Sequence, residues 1–253
     1  MSFYLNTKEN NFAYIENKQG KIEGSISLGK ESSDGIDSLE LDDGYTFHIC
    51  PRPVKEKERM TLFVAGESGA GKSYFVREYA KRYNKMFPKN DIYLISYLEQ
   101  DETLDEFKKI IRLNAFQQEF LDECLDIDLN KEFKDSLVIF DDIDSVINKK
   151  TKEKIYGLLN KMLRIGRHYN ISTCYAGHEL YASPELKLIL NESQTITFFP
   201  KFLNFRKLKY LLEVYFGLSK KQIERIRNIK DRSITYFKGG DKIIMSDTEC
   251  FIL

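Results

Sequence analysis

The chain has 253 residues, of which 42% are hydrophobic and 31% charged, and its 39 Lys+Arg balance 39 Asp+Glu to a formal net charge of zero. Such a composition fits a soluble globular chain with one good core and a small appendage, and no internal repeat or low-complexity tract appears. No run approaches the roughly 18 apolar residues of a membrane helix, and the start "MSFYLNTKENNFAYIENKQGK" lacks the regions of a signal peptide, so an intracellular setting is expected.

In chain order, residues 1–57 lack helical periodicity. Stretches such as "FAYIENKQGKIEGSISLG" and "SLELDDGYTFHIC", punctuated by Gly and Asp, predict hairpins and a small β-rich lead-in. "PRPVKEKER", residues 51–59, joins two prolines to a charge run and marks a boundary, giving a segment 1–57 and a domain 58–253.

From Met60 onward, strand-length apolar runs alternate with segments of helical period. "TLFVAG" predicts a strand, "KSYFVREYAKRYNKMF" a helix, "DIYLISY" a second strand, and "SLVIFDDID" a third after acidic helical material at 103–134. "KTKEKIYGLLNKMLRIGRH" predicts a helix with Ile155, Leu158, Leu159, Met162 and Leu163 on one side. "NISTCYAGHE" returns as a strand, a short helix covers 184–191, and "ESQTITFFP" is a fifth strand. The fold class is α/β, with a mostly parallel sheet carrying helices on both faces. "NFRKLKYLLEVYFG" and "KKQIERIRNIKDR" follow, the latter an amphipathic helix with Ile223, Ile226 and Ile229 turned inward. "SITYFKGGDKIIMSD" predicts a C-terminal β-hairpin around Gly239 and Gly240.

Charge is unevenly spread. Residues 101–150 carry 14 Asp+Glu against 7 Lys+Arg, and residues 201–253 carry 12 Lys+Arg against 6 Asp+Glu. The basic segment reads either as a solvated helix face or as a surface for an anionic polymer. Cys50, Cys124, Cys174 and Cys250 lie far apart with no CxxC pair, which predicts free thiols rather than disulfides or a zinc site.

The chemistry concentrates in "GESGAGKS", residues 66–73, which satisfies GxxxxGK[ST] between an apolar strand and an amphipathic helix. Gly66, Glu67, Ser68, Gly69, Ala70, Gly71, Lys72, Ser73 and Tyr74 form the candidate nucleotide-binding stretch. Its glycines let backbone N–H groups close around phosphate at the helix mouth. Lys72 would reach the β and γ phosphates of ATP, and the Ser73 hydroxyl would ligate Mg²⁺. "LVIFDD", residues 137–142, supplies the acidic strand end that the metal requires. Asp141 would hold the metal shell, and Asp142 would activate water. "DDID" also reads as a turn with capping aspartates, a role that suits Asp144 better.

Four further residues are candidates. Glu67 is either an assisting carboxylate or an exposed loop residue. His178, one strand after the acidic pair, is either a γ-phosphate sensor or a satisfied surface histidine. Arg164 and Arg167 close the helix before that strand; they either complement its C-terminus or reach a neighbouring subunit's nucleotide as a finger.

Together "GESGAGKS", "LVIFDD", "GRHYNISTCYAGHEL", "LILNESQTITFFP" and "YFGLSKKQIERIRNIKDRSITYFK" resemble the genome-packaging ATPases of the nucleocytoplasmic large DNA viruses, the poxvirus-type branch of the FtsK/HerA superfamily. The resemblance runs from about residue 50 to about 240, and the stretch from Arg167 through Phe199 carries most of it. It implies a P-loop ATPase of the ASCE, RecA-like type that drives double-stranded DNA into a preformed capsid as a homo-oligomeric ring. It also implies capsid or portal partners, a separate nuclease, and action in the host cytoplasm where virions assemble. Where the wider superfamily often carries Glu and Gln, this chain carries Asp142 and His178. A nucleotide switch with little turnover and a small-molecule kinase are the alternative readings; the segment "ELYASPELKLILN" contains no Arg for a kinase lid.

Overall fold

The computed structural model describes residues 2–6, 11–29, 36–51, 59–180, 183–239 and 242–253. The chain forms two compact units, one of Met1–Glu56 with Gln194–Leu253 and one of Lys57–Ser193. Most of the "PRPVKEKER" boundary, residues 52–58, lies outside the described residues.

The first unit opens with β1 (Ser2–Leu5), β2 (Asn11–Asn17), β3 (Ile22–Gly29), β4 (Ser38–Glu40) and β5 (Tyr45–Ile49). Four of these form an antiparallel sheet in the order β1-β3-β2-β5. Local chemistry closes the β2–β3 hairpin: the Asn17 side chain accepts from Gln19 N and Lys21 N, both at 3.0 Å. Gly20 supplies the left-handed φ of 73° that the turn needs.

The second unit contains β6 (Thr61–Ala65), α1 (Lys72–Met86), β7 (Ile92–Ser96), β8 (Ile110–Leu113), α2 (Gln118–Glu123), α3 (Leu129–Glu132), β9 (Leu137–Asp141), α4 (Lys149–Ile165), β10 (Ser172–Gly177) and α5 (Pro184–Glu192). Its strands are all parallel, in the order β6-β10-β9-β7-β8. Every residue of β6, β9 and β10 is buried, as expected for apolar runs covered on both faces. α4 buries Ile155, Tyr156, Leu158, Leu159, Met162 and Leu163, the stripe that its helical spacing dictates. Each such aliphatic side chain contributes about 1.5–3 kcal/mol by leaving water. Asn148 caps its start by accepting from Thr151 N at 3.1 Å. At its other end the buried Arg59 guanidinium donates to the carbonyls of Met162 and Leu163 in the last turn.

The chain then returns to the first unit with β11 (Thr195–Phe198), α6 (Phe205–Tyr210), α7 (Lys220–Asn228), β12 (Ile234–Phe237), β13 (Ile243–Ser246) and β14 (Glu249–Ile252). Within this unit β4, β14, β13, β12 and β11 are successive antiparallel neighbours. Ser219 and Gln222 make a reciprocal capping box at the start of α7, and Ile223, Ile226 and Ile229 are buried as expected. β12 and β13 are the expected hairpin, although Gly240 at its turn lies outside the described residues.

Two expectations are corrected. The acidic stretch 103–134 is not mainly helical: it holds strand β8 and only two short helices, because "IIRL" pairs in parallel with β7. The terminal strand β14 was not foreseen; its four residues carry too little pattern to separate from the hairpin before it.

Candidate active site

Parallel strand order decides which loops meet, because the loops at the carboxyl ends of neighbouring strands share one edge of the sheet. β10 lies between β6 and β9, so the ends of these three strands bring together the glycine-rich loop, His178 and the Asp141–Asp142 pair. β7 flanks β9 on its other side, which adds the segment after Ser96.

Residues 66–71 wrap tightly between β6 and α1. Gly66 N donates to Gly177 O at 3.2 Å, tying the loop to the end of β10, and Ala70 N donates to Glu67 O at 3.1 Å. Gly69 and Gly71 have φ of 77° and 111°, a region that side-chain-bearing residues seldom enter. Gly71 is the N-cap of α1, so no side chain covers the helix mouth at that position. A helix mouth of this kind suits an anion. Lys72 is only 7% exposed, and its Nζ donates to Gly66 O at 2.8 Å and meets Glu67 O at 3.4 Å. Burial lowers its pKa, while the negative charges of Asp142, Asp141 and Asp144 oppose that fall.

Asp141 is 2% exposed at the end of β9. Burial pushes its carboxyl up to about 7; Asp142 and Asp101 add to the rise, and Lys72 and Arg112 oppose it. Asp142 turns the chain through a left-handed conformation, φ 52° and ψ 27°, which Asp tolerates better than most residues. Its Oδ1 lies 2.8 Å from His178 Nε2, and His178 Nδ1 lies 3.3 Å from Lys72 Nζ. Asp144 does not act as a helix cap. Its Oδ2 instead accepts from His178 N at 2.8 Å, fixing the loop that carries the histidine, while Oδ1 is buried without a hydrogen-bond partner among the described residues. Asp142, Asp144 and His178 also bring one ligand atom each within 4.8 Å of one another.

The donor set fits Mg²⁺. This ion takes oxygen ligands in an ordered shell, and Ser73 Oγ and Asp141 offer oxygens alone. Asp101 was not anticipated: its Oδ2 accepts from Ser73 Oγ at 3.3 Å. A divalent cation at this point would offset the cost of burying the Asp141 charge.

The remaining candidates fall in different places. Glu67 is exposed, and its contact with Lys72 runs through the backbone carbonyl. Ser68 is exposed too, and Tyr74 is 60% exposed with the Arg77 guanidinium 4.9 Å from its ring centre. Arg164, in the last turn of α4, and Arg167, just past it, are both exposed at the end of the sheet where the chain approaches β10. That edge is separated from the glycine-rich loop of the same chain by the length of a strand, roughly 17 Å at about 3.3 Å per residue.

No protein-family model matches the chain. It is 34% identical over 242 residues to the uncharacterized protein V3 of Sputnik virophage, covering 94% of each chain. Among solved structures it resembles the genome packaging NTPase B204 of Sulfolobus turreted icosahedral virus 2 in complex with AMP, at 13% identity and TM-score 0.52, over 77% of this chain and 98% of that one. It also resembles the pCW3 conjugation coupling protein TcpA, at 15% identity and TM-score 0.51, over 90% of this chain and 73% of that one. At these identities the structural likeness is one of fold. The chain therefore belongs to the family of Sputnik virophage protein V3, and its fold is that of the P-loop ATPases.

Proposed function

We propose that this protein is a Mg²⁺-dependent ATPase of the FtsK/HerA type that moves double-stranded DNA into a preformed capsid, working as a homo-oligomeric ring. The observation that carries the reading is the convergence of Lys72, Ser73, Asp141 and Asp142 at the carboxyl edge of one parallel sheet, with His178 bridging the lysine and the second aspartate. The resemblance in fold to B204, whose name describes a genome packaging NTPase, supports the same direction.

In this reading Lys72 exchanges its Gly66 carbonyl partner for the β and γ phosphates and neutralises charge as the terminal phosphoryl group departs. Ser73 and Asp141 would hold Mg²⁺, which would supply Lewis-acid polarisation of the phosphoryl oxygens. Asp142 accepts a proton from the attacking water as the new P–O bond forms and the bond to the ADP oxygen breaks. An exposed arginine of a neighbouring subunit, Arg164 or Arg167, adds positive charge at the same atoms. The basic residues from Lys201 onward contact DNA phosphates without reading bases. Capsid or portal proteins and a separate nuclease complete the machinery at assembly sites in the host cytoplasm.

Phosphate release followed together with particle size, with and without duplex DNA, tests the reading. Duplex DNA at low ionic strength is expected to raise turnover and stabilise the ring, with both effects lost as salt increases. Turnover indifferent to every form of DNA would overturn the motor assignment.

A further inference from the structure

We infer that Asp101 is a positioning residue for the metal-binding hydroxyl of Ser73: it accepts the hydroxyl's hydrogen bond and leaves the oxygen lone pairs facing the cation. The inference rests on the reading of Ser73 and Asp141 as the Mg²⁺ site. A serine hydroxyl has one proton and two acceptor lone pairs. As a metal ligand it works only when the proton points elsewhere, and in this structure it points to Asp101 Oδ2 at 3.3 Å rather than to Asp141.

The segment after β7 is built to hold that carboxylate still. Asp101 Oδ1 accepts from Leu104 N at 2.7 Å, and Leu104 is fully buried. Asp101 N donates to Asp105 Oδ2 at 2.8 Å, and Asp105 N donates back to Asp101 O at 2.9 Å. The other Asp105 oxygen is paired with Arg112 of β8 at 2.6 Å, and the same guanidinium donates to Leu98 O at 2.7 Å. β8, the short strand that composition concealed, thus supplies the arginine that closes the segment over Ser73. One oxygen of Asp101 is used internally, and the other is left for the hydroxyl. Asp101 also lies close enough to Asp141 for its negative charge to be felt there, a repulsion that a divalent cation held by Ser73 and Asp141 would offset.

The test uses the full chain saturated with ATPγS and Mn²⁺ as the metal probe, with free Mn²⁺ followed by electron paramagnetic resonance. Asp101→Ala is expected to raise the Mn²⁺ concentration for half-saturation about tenfold, the usual size for loss of a group that orients a ligand, while ATPγS binding in EDTA stays within about twofold of the wild type. Asp101→Asn keeps an acceptor for Leu104 N and should show a smaller rise. The double variant Ser73→Ala with Asp101→Ala should bind Mn²⁺ no more weakly than Ser73→Ala alone, because Asp101 acts through that hydroxyl. Wild-type titration by Asp101→Ala, or additive losses in the double variant, would overturn the role of Asp101 while leaving the nucleotide reading intact. A wild-type chain that binds no ATPγS would overturn both.

Discussion

Nε2 of His178 lies 2.8 Å from Oδ1 of Asp142. Because the Lys72 ammonium can only donate, Nδ1 of the same ring is the acceptor at 3.3 Å, and Nε2 must carry the proton given to Asp142. One neutral tautomer therefore links the Lys72 ammonium to the Asp142 carboxylate. We predict that His178→Ala lowers the turnover of bound ATP about 10- to 100-fold with little change in ATP affinity, whereas His178→Gln, which can both accept and donate, recovers part of it. Separate kcat and KM values decide the matter; an equal loss in both variants through KM alone would contradict the linkage.

Lys72 and Asp142 should separate binding from chemistry. Lys72→Ala removes a buried cation beside three carboxylates and is expected to abolish measurable hydrolysis. Asp142→Asn keeps the shape and loses the base, so turnover should fall about 10²- to 10⁴-fold with ATP still bound. Single-turnover phosphate release distinguishes the two, and rapid hydrolysis by Asp142→Asn would shift the base to another residue such as Glu67.

Asp141 makes stability depend on pH. The folded chain holds this proton to about pH 7, against an ordinary value of 3.8. The folded state thus binds more protons between those limits, and unfolding free energy falls as pH rises from about 4 to about 7 before levelling off. In EDTA without nucleotide, Asp141→Asn should match the wild type near pH 4 and exceed it at pH 8 by at most about 4 kcal/mol, from about 1.4 kcal/mol per pH unit. Urea unfolding at both pH values measures this, and an equal gain at pH 4 would assign the effect to something other than the charge.

All four cysteines are buried and none is in a disulfide. Burial also raises the pKa of the Cys174 and Cys250 thiols. Buried neutral thiols react slowly. Ellman's reagent is expected to detect almost none in the native chain and all four after denaturation, and rapid labelling of a native thiol would refute this packing.

Much of the site was legible because it is local. The GxxxxGK[ST] spacing places Lys72 and Ser73 on the first turn of α1 whatever surrounds them, and an apolar run ending in two aspartates marks β9. Asp101 was hidden because its relevance comes from β7 lying beside β9, and strand order is not written in the composition of either strand. The available signal was its place just past the carboxyl end of a parallel strand, where ligands gather. Asp144 was misjudged for a similar reason: its partner is a backbone amide 34 residues away. β8 escaped notice because four residues in a charged region carry no period.

Arg59 fastens the entry of β6 to the last turn of α4, while the glycine-rich loop leaves the opposite end of that strand. The strand is thus a strut pinned at its base. In the motor reading proposed above, mechanical load developed at Lys72 would pass along it into the long helix rather than peel the strand away.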